Sequence, residues 1–187
     1  MSRRRALIAA SNSGSEFPLY LYNEGVISPI IGDFNTTGYK YGADSAFAQS
    51  KASTYLRLRS TSQYNLRGGR TWTGNNALPS QYIGKTLHCT GNMTNQQLNN
   101  RRTFFRLYLS ESVVDASDTE DVGNSGAFVN ATYSNFQFSG SDADVPAETT
   151  KTFDISLPIT QAGYVSVMFY KGFTGQIDVH VENTWIE

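Results

Sequence analysis

Apolar and polar residues alternate with a period of two in several short runs of this chain. The clearest runs are Tyr164-Val165-Ser166-Val167-Met168-Phe169-Tyr170 and Ile177-Asp178-Val179-His180-Val181-Glu182, separated by Lys171-Gly172-Phe173-Thr174-Gly175. Successive strand side chains leave opposite faces. Ile177, Val179 and Val181 are therefore expected to face a core, and Asp178, His180 and Glu182 to face water. The two runs together predict a C-terminal hairpin. Trp185, beyond the second run, is expected in the core.

The same period recurs upstream. Leu56 and Leu58 alternate with Tyr55, Arg57 and Arg59, and Phe105, Leu107 and Leu109 share one face of the run 103–109. Further strands are predicted over 82–90, 128–138 and 152–157, the last ended by Pro158. Leu19–Tyr22 and Val26-Ile27 flank Asn23-Glu24-Gly25, a hairpin signature. Gly32, Asn35, Gly38 and Gly42 predict a loop rich in aromatics, and Gly68-Gly69 a turn between two short strands. Residues 92–102 are expected to hold a turn or two of helix. No dozen residues keep a 3.6 period, so eight to ten short strands predict an all-β antiparallel sandwich, jelly-roll-like, over residues 17–187. Residues 1–16 read as a short, extended, flexible basic tail ahead of this single domain.

Composition agrees with short strands and many turns. Of 187 residues, 39% are hydrophobic and 17% charged, with 11 Tyr and 11 Phe. Both fractions lie below the usual globular values of about 45–50% and 25%. The formal net charge of −1 supplies no field for nucleic acid or an anionic membrane. No apolar run has the roughly 18 residues of a membrane span. Ala6–Ala10 is too short for a signal peptide, so synthesis in a cytoplasm is expected. The single Cys89 makes no internal disulfide.

Candidate chemistry is sparse. His88 and Cys89 are adjacent on one predicted strand and so point to opposite faces, which excludes a dyad between them. No nucleophile elbow, zinc-protease, phosphate-loop or dinucleotide motif occurs, so no catalytic residue, no enzyme activity and no cofactor is expected. Asp115, Asp118 and Asp121 are spaced as oxygen ligands for calcium, but the EF-hand glycine and distal glutamate are missing. A solvated acidic loop is the simpler reading, and no metal site is assigned. Sugars are held by aromatic platforms and polar side chains. Trp72, Tyr39, Tyr41 and Arg70 are the candidate ligand contacts, with Tyr133 among the other aromatics predicted in loops. Arg106 is one of several arginines able to pair with carboxylates at an interface.

The opening Met1-Ser2-Arg3-Arg4-Arg5-Ala6-Leu7-Ile8-Ala9-Ala10, followed by Phe17-Pro18-Leu19-Tyr20-Leu21-Tyr22-Asn23-Glu24-Gly25, resembles small virion-associated structural proteins of tailed bacteriophages. The closing Ile177 to Val181 and Trp185-Ile186-Glu187 is similar to the last strand of the same proteins, where an "IWLE"-like end recurs. Here Ile186 follows Trp185 directly. The resemblance covers the two ends of the chain. It implies a structural component of a virion, in the tail, fibre or capsid-surface decoration, with other virion proteins as partners and a homo-oligomer, trimer or ring, as the assembly. The basic tail, Arg3, Arg4, Arg5, Leu7 and Ile8, is then the expected assembly anchor. The alternative is a carbohydrate-binding or receptor-binding module for a host surface glycan. Neither reading involves nucleic acid or membrane insertion.

Overall fold

The computed structural model describes residues 17–41, 47–51, 54–60, 67–96, 103–112, 130–139, 145–171 and 176–187, with the backbone alone described over 34–41, 47–51 and 67–72 and at 139 and 171. The expected tail and anchor, residues 1–16, lie outside the described residues. Twelve strands are described: β1 (Leu19–Asn23), β2 (Val26–Ile27), β3 (Phe34–Tyr41), β4 (Phe47–Lys51), β5 (Leu56–Ser60), β6 (Arg67–Gly74), β7 (Thr86–Asn95), β8 (Thr103–Ser110), β9 (Thr132–Ser139), β10 (Thr150–Pro158), β11 (Tyr164–Lys171) and β12 (Ile177–Ile186). Among the described residues the only helical turn is a 3₁₀ turn at Ser80–Tyr82.

The strands form two antiparallel sheets. One has seven strands, ordered β10-β7-β12-β1-β2, with β5 also on β12 and β4 on β5; the other has five, ordered β3-β6-β11-β8-β9. The chain passes from one sheet to the other at most of its connections, as in a jelly roll. The expected all-β antiparallel sandwich is therefore the observed fold.

The core lies between the sheets. Leu56, Leu58, Leu87, Cys89, Met93, Phe153, Ile155, Leu157, Ile177, Val179 and Val181 come from the seven-stranded side. Phe105, Leu107, Leu109, Phe138, Val165, Val167 and Phe169 come from the five-stranded side. Phe105 stacks on Phe153 across the gap, with ring centroids 4.3 Å apart. Each such side chain contributes about 1.5–3 kcal/mol by leaving water. Gly91 belongs to the same inward set because nothing larger fits: a Cβ there would lie 2.1 Å from the His180 carbonyl oxygen.

Five expectations about elements are corrected. β11 and β12 do not form a hairpin: β11 pairs with β6 and β8, and β12 with β7, β5 and β1. Alternation reports that a strand has one buried face, and two such strands satisfy it equally well side by side or across a core. Residues 34–41 form β3, and Gly68-Gly69 lie inside β6, paired with Lys40 and Tyr39 on one side and Lys171 and Tyr170 on the other. Residues 92–95 continue β7 instead of turning helical. The N-terminal hairpin is as expected, and Glu24 and Gly25, with φ of 46° and 84°, make its turn.

Trp185 is the fifth. It stands on the outer face, stacked on His88 at 4.9 Å. The pairing of β12 with β7 slips between Val181 and Asn183. Glu182 is the extra residue of this bulge, and it exchanges the two faces for the rest of the strand. Thr184 and Ile186 then point inward.

Candidate functional site

β8 is buried along its whole length, on both faces. Its core-facing set, Phe105, Leu107 and Leu109, needs no explanation. The opposite set, Phe104, Arg106 and Tyr108, faces away from the core on the outer side of the five-stranded sheet and places a cation between two rings at a spacing of two. A second small apolar cluster forms there, from Phe104, Tyr108 and Met168 with Ala131 and Tyr170 packed against it.

Arg106 is the centre of this cluster, with 4% of its surface exposed. Its Nε donates to Asn135 Oδ1 at 3.0 Å, and its Nη1 donates to the Tyr108 hydroxyl at 2.9 Å. The guanidinium carbon is 4.1 Å from the centroid of the Phe104 ring and 4.4 Å from that of Tyr133. Phe104 in turn stacks on Tyr170 at 5.0 Å, and Tyr133 tilts against Tyr108 at 5.4 Å. Among the described residues no carboxylate pairs with Arg106. Its charge is held by two charge-assisted hydrogen bonds, about 1.5–3 kcal/mol each, and two ring faces, about 1 kcal/mol each.

β9 supplies the solvent side. Along it Tyr133, Asn135 and Gln137 are exposed, in register with Tyr108, Arg106 and Phe104 respectively. Tyr133 is 51% exposed although the cluster grips it. Because a guanidinium only donates, the Asn135 oxygen must face Arg106, and its amide NH2 is turned away from it. The result is a ring and a carboxamide braced from below by Arg106, with the exposed Gln137 further along the same strand. Such a set suits a ligand with an apolar face and a polar rim.

The sequence candidates divide as follows. Position 39 pairs with Gly69, which pairs with Tyr170, itself paired with Phe104. Tyr39 and Tyr41 therefore belong by backbone register to the same alternating set as the outer cluster. Arg70 and Trp72 belong to the other set, in line with Phe169 and Val167. The side chains of all four lie outside the described residues, as do Asp115, Asp118 and Asp121. Among the described residues no group of three or more His, Cys, Asp or Glu side chains is placed to hold a metal ion. Cys89 and His88 point to opposite faces as expected: Cys89 is in the core, and burial pushes its thiol up to about 12. Arg106 and Asn135 were not singled out as contacts by sequence. The available signal was the Phe104-x-Arg106-x-Tyr108 spacing on the unread face of the run 103–109.

The outer face of the seven-stranded sheet is polar. Its β12 side carries Asp178, His180 and Trp185. His180 stacks on Tyr55 at 3.9 Å, and Trp185 is flanked by His88 and, at 6.3 Å, Tyr20. The Arg57 Nε donates to both oxygens of Asp178, at 2.9 and 3.0 Å, and its Nη2 donates to Oδ2. Burial alone would raise the Asp178 carboxyl. The hydrogen bonds and charge of Arg57, with His180 close by, outweigh it and hold the group down at about 2.

No family model matches the sequence, and no curated protein matches it. Among solved structures the chain is similar to the enzymatically active domain of tailspike protein 4 of bacteriophage CBA120, with a TM-score of 0.50 and 13% identity. That likeness covers 89% of this chain but only 21% of the tailspike chain. It is also similar to the C-terminal family 22 carbohydrate-binding module of Clostridium thermocellum Xyn10B, at a TM-score of 0.44 and 14% identity, covering 92% and 97% of the two chains. A family 11 carbohydrate-binding module from Clostridium thermocellum gives 0.41 and 12%, covering 81% and 88%. At these identities the likeness is one of fold.

Proposed function

We propose that this chain is a glycan-binding β-sandwich that acts by binding and not by catalysis, through the outer face of its five-stranded sheet. The observation that carries this reading is Tyr133. A half-exposed ring stacked on a guanidinium 4.4 Å away, beside outward carboxamides on the same strand, supports recognition of a pyranose, whose C–H face meets the ring and whose hydroxyls meet the amides. Arg106 works from below. Clamped by Asn135, Tyr108 and Phe104, it fixes the ring and the amide before a ligand arrives, so little rotamer entropy is lost on binding. The reading fits the resemblance of the chain's ends to virion-associated phage proteins, since a glycan on a host surface is a natural target for such a particle. On that reading the basic tail with Arg3, Arg4 and Arg5 joins the domain to other virion proteins.

The test is a glycan array followed by calorimetry on the best binder. Tyr133→Ala should weaken binding about tenfold, ~1.4 kcal/mol, and Asn135→Ala by a similar factor, with the far-ultraviolet spectrum unchanged. An array silent for the native chain, or a bound glycan indifferent to Tyr133→Ala, overturns the proposal.

A further inference from the structure

Among the described residues the arginine patch on the seven-stranded sheet is short of anions. In register, Arg59 stands opposite Asp178, and Arg57 opposite His180. Straight cross-strand pairing would therefore give Asp178 to Arg59. The carboxylate goes to Arg57 on the diagonal instead, which takes both oxygens. His180 Nε2 adds a contact of 3.4 Å to Oδ1, although it is too poorly aligned to count as a hydrogen bond. Among the described residues nothing is left for Arg59: its Nε is buried and has no hydrogen-bond partner. The neighbours on this face do not correct the balance. Thr94 and Asn92 of β7 are neutral, and Glu182 accepts from Asn92 Nδ2 at 3.0 Å, further along the strand. Among the described residues two guanidinium ions thus share one carboxylate, leaving about one positive charge.

A buried charged donor without an acceptor costs at least about 1–3 kcal/mol, and a guanidinium Nε edge that lacks an acceptor has the geometry that receives two oxygens side by side. The Arg57 side chain keeps 32% of its surface open, so the patch meets solvent, and its Nη1 group is not used by Asp178.

We propose that this patch is an oxyanion site, in which the Arg59 Nε edge grips a carboxylate, sulfate or phosphate group and Arg57 Nη1 adds a second donor. The Asp178 carboxylate holds Arg57 in place and keeps its Nε edge occupied, so the incoming anion is directed to Arg59. The site lies on the opposite sheet from Tyr133 and does not depend on the glycan reading.

The experiment is a nuclear magnetic resonance titration of the full chain that follows the arginine Nε–Hε signals. Sodium sulfate, sodium phosphate and sodium glucuronate are added separately, with sodium chloride at matched ionic strength as control. The expected result is a saturable shift of the Arg59 signal with at least one oxyanion and none with chloride. Arg59→Gln should weaken that binding at least tenfold. Arg59→Lys, a point charge without the fork, should retain a part of it. Saturation by glucuronate alone identifies a carboxylate ligand, and saturation by sulfate or phosphate identifies an ester. No saturable shift, or the same response to chloride, overturns the site. If Arg59→Gln does not fold, the native signal and Arg59→Lys decide. Tyr133→Ala should leave the titration unchanged, which keeps failure here separate from failure of the glycan reading.

Discussion

Replacing Asp178 by Asn removes one charge from the Arg57 patch with almost no change of shape. The carboxyl lies at about 2 against an ordinary 3.8. A fall of nearly two, at about 1.36 kcal/mol per pH unit, corresponds to ~2 kcal/mol of stability. The figure already includes the unfavourable burial of the group, which is 9% exposed. The sign follows from the direction. A carboxyl depressed in the folded chain contributes fully above its unfolded value near 4, and the contribution is lost as the pH falls toward 2. Asp178→Asn should therefore cost ~2 kcal/mol at pH 6.5, and the gap between native and variant should close to well under 1 kcal/mol by pH 2. Urea unfolding followed by far-ultraviolet circular dichroism at pH 6.5, 4 and 2 measures it. Other carboxyls titrate alike in both proteins and cancel in the difference. A gap below about 0.5 kcal/mol at pH 6.5, or one that stays constant with pH, would refute the electrostatic account.

Two further outcomes follow from packing. Gly91→Ala should destabilise by about 3 kcal/mol or more, read as a lower thermal midpoint, because its Cβ would meet the His180 carbonyl oxygen at 2.1 Å and Phe153 Cζ at 2.6 Å; a loss below 1 kcal/mol would mean that β7 and β12 separate easily. Cys89, with its thiol at about 12 and no exposed surface, should react with a disulfide reagent at pH 8 only on the unfolding timescale, and labelling faster than unfolding would show that the core opens locally.

The sequence discloses faces more readily than partners. Leu56, Leu58, Ile177, Val179 and Val181 were legible because a half-buried strand writes its burial into every second residue. What lies across from a strand leaves no such mark, so β11 and β12 looked like a hairpin although they stand on opposite sheets. Trp185 misled for a related reason: the bulge at Glu182 costs one residue and is invisible in composition, yet it reverses the inward set. Gly68 and Gly69 looked like a turn because glycine in the middle of a sheet and glycine in a loop are the same letter. The Tyr133 site was half legible. The ring itself stood out as a surface aromatic, but its brace, Arg106, lies in a run whose apolar set drew the attention.

β12 pairs with β7 throughout, while its other edge is shared: residues 177–181 zip to β5, and residues 183–186 to β1. The bulge stands at the joint. β12 is thus two short zippers placed end to end and out of phase, each with its own closing partner. Opening of the terminal β1 segment has no direct path into the half that carries Arg57, Arg59 and Asp178, because the ladder is already interrupted between them. A pull on β1 is therefore expected to peel away one zipper and leave the charged patch assembled.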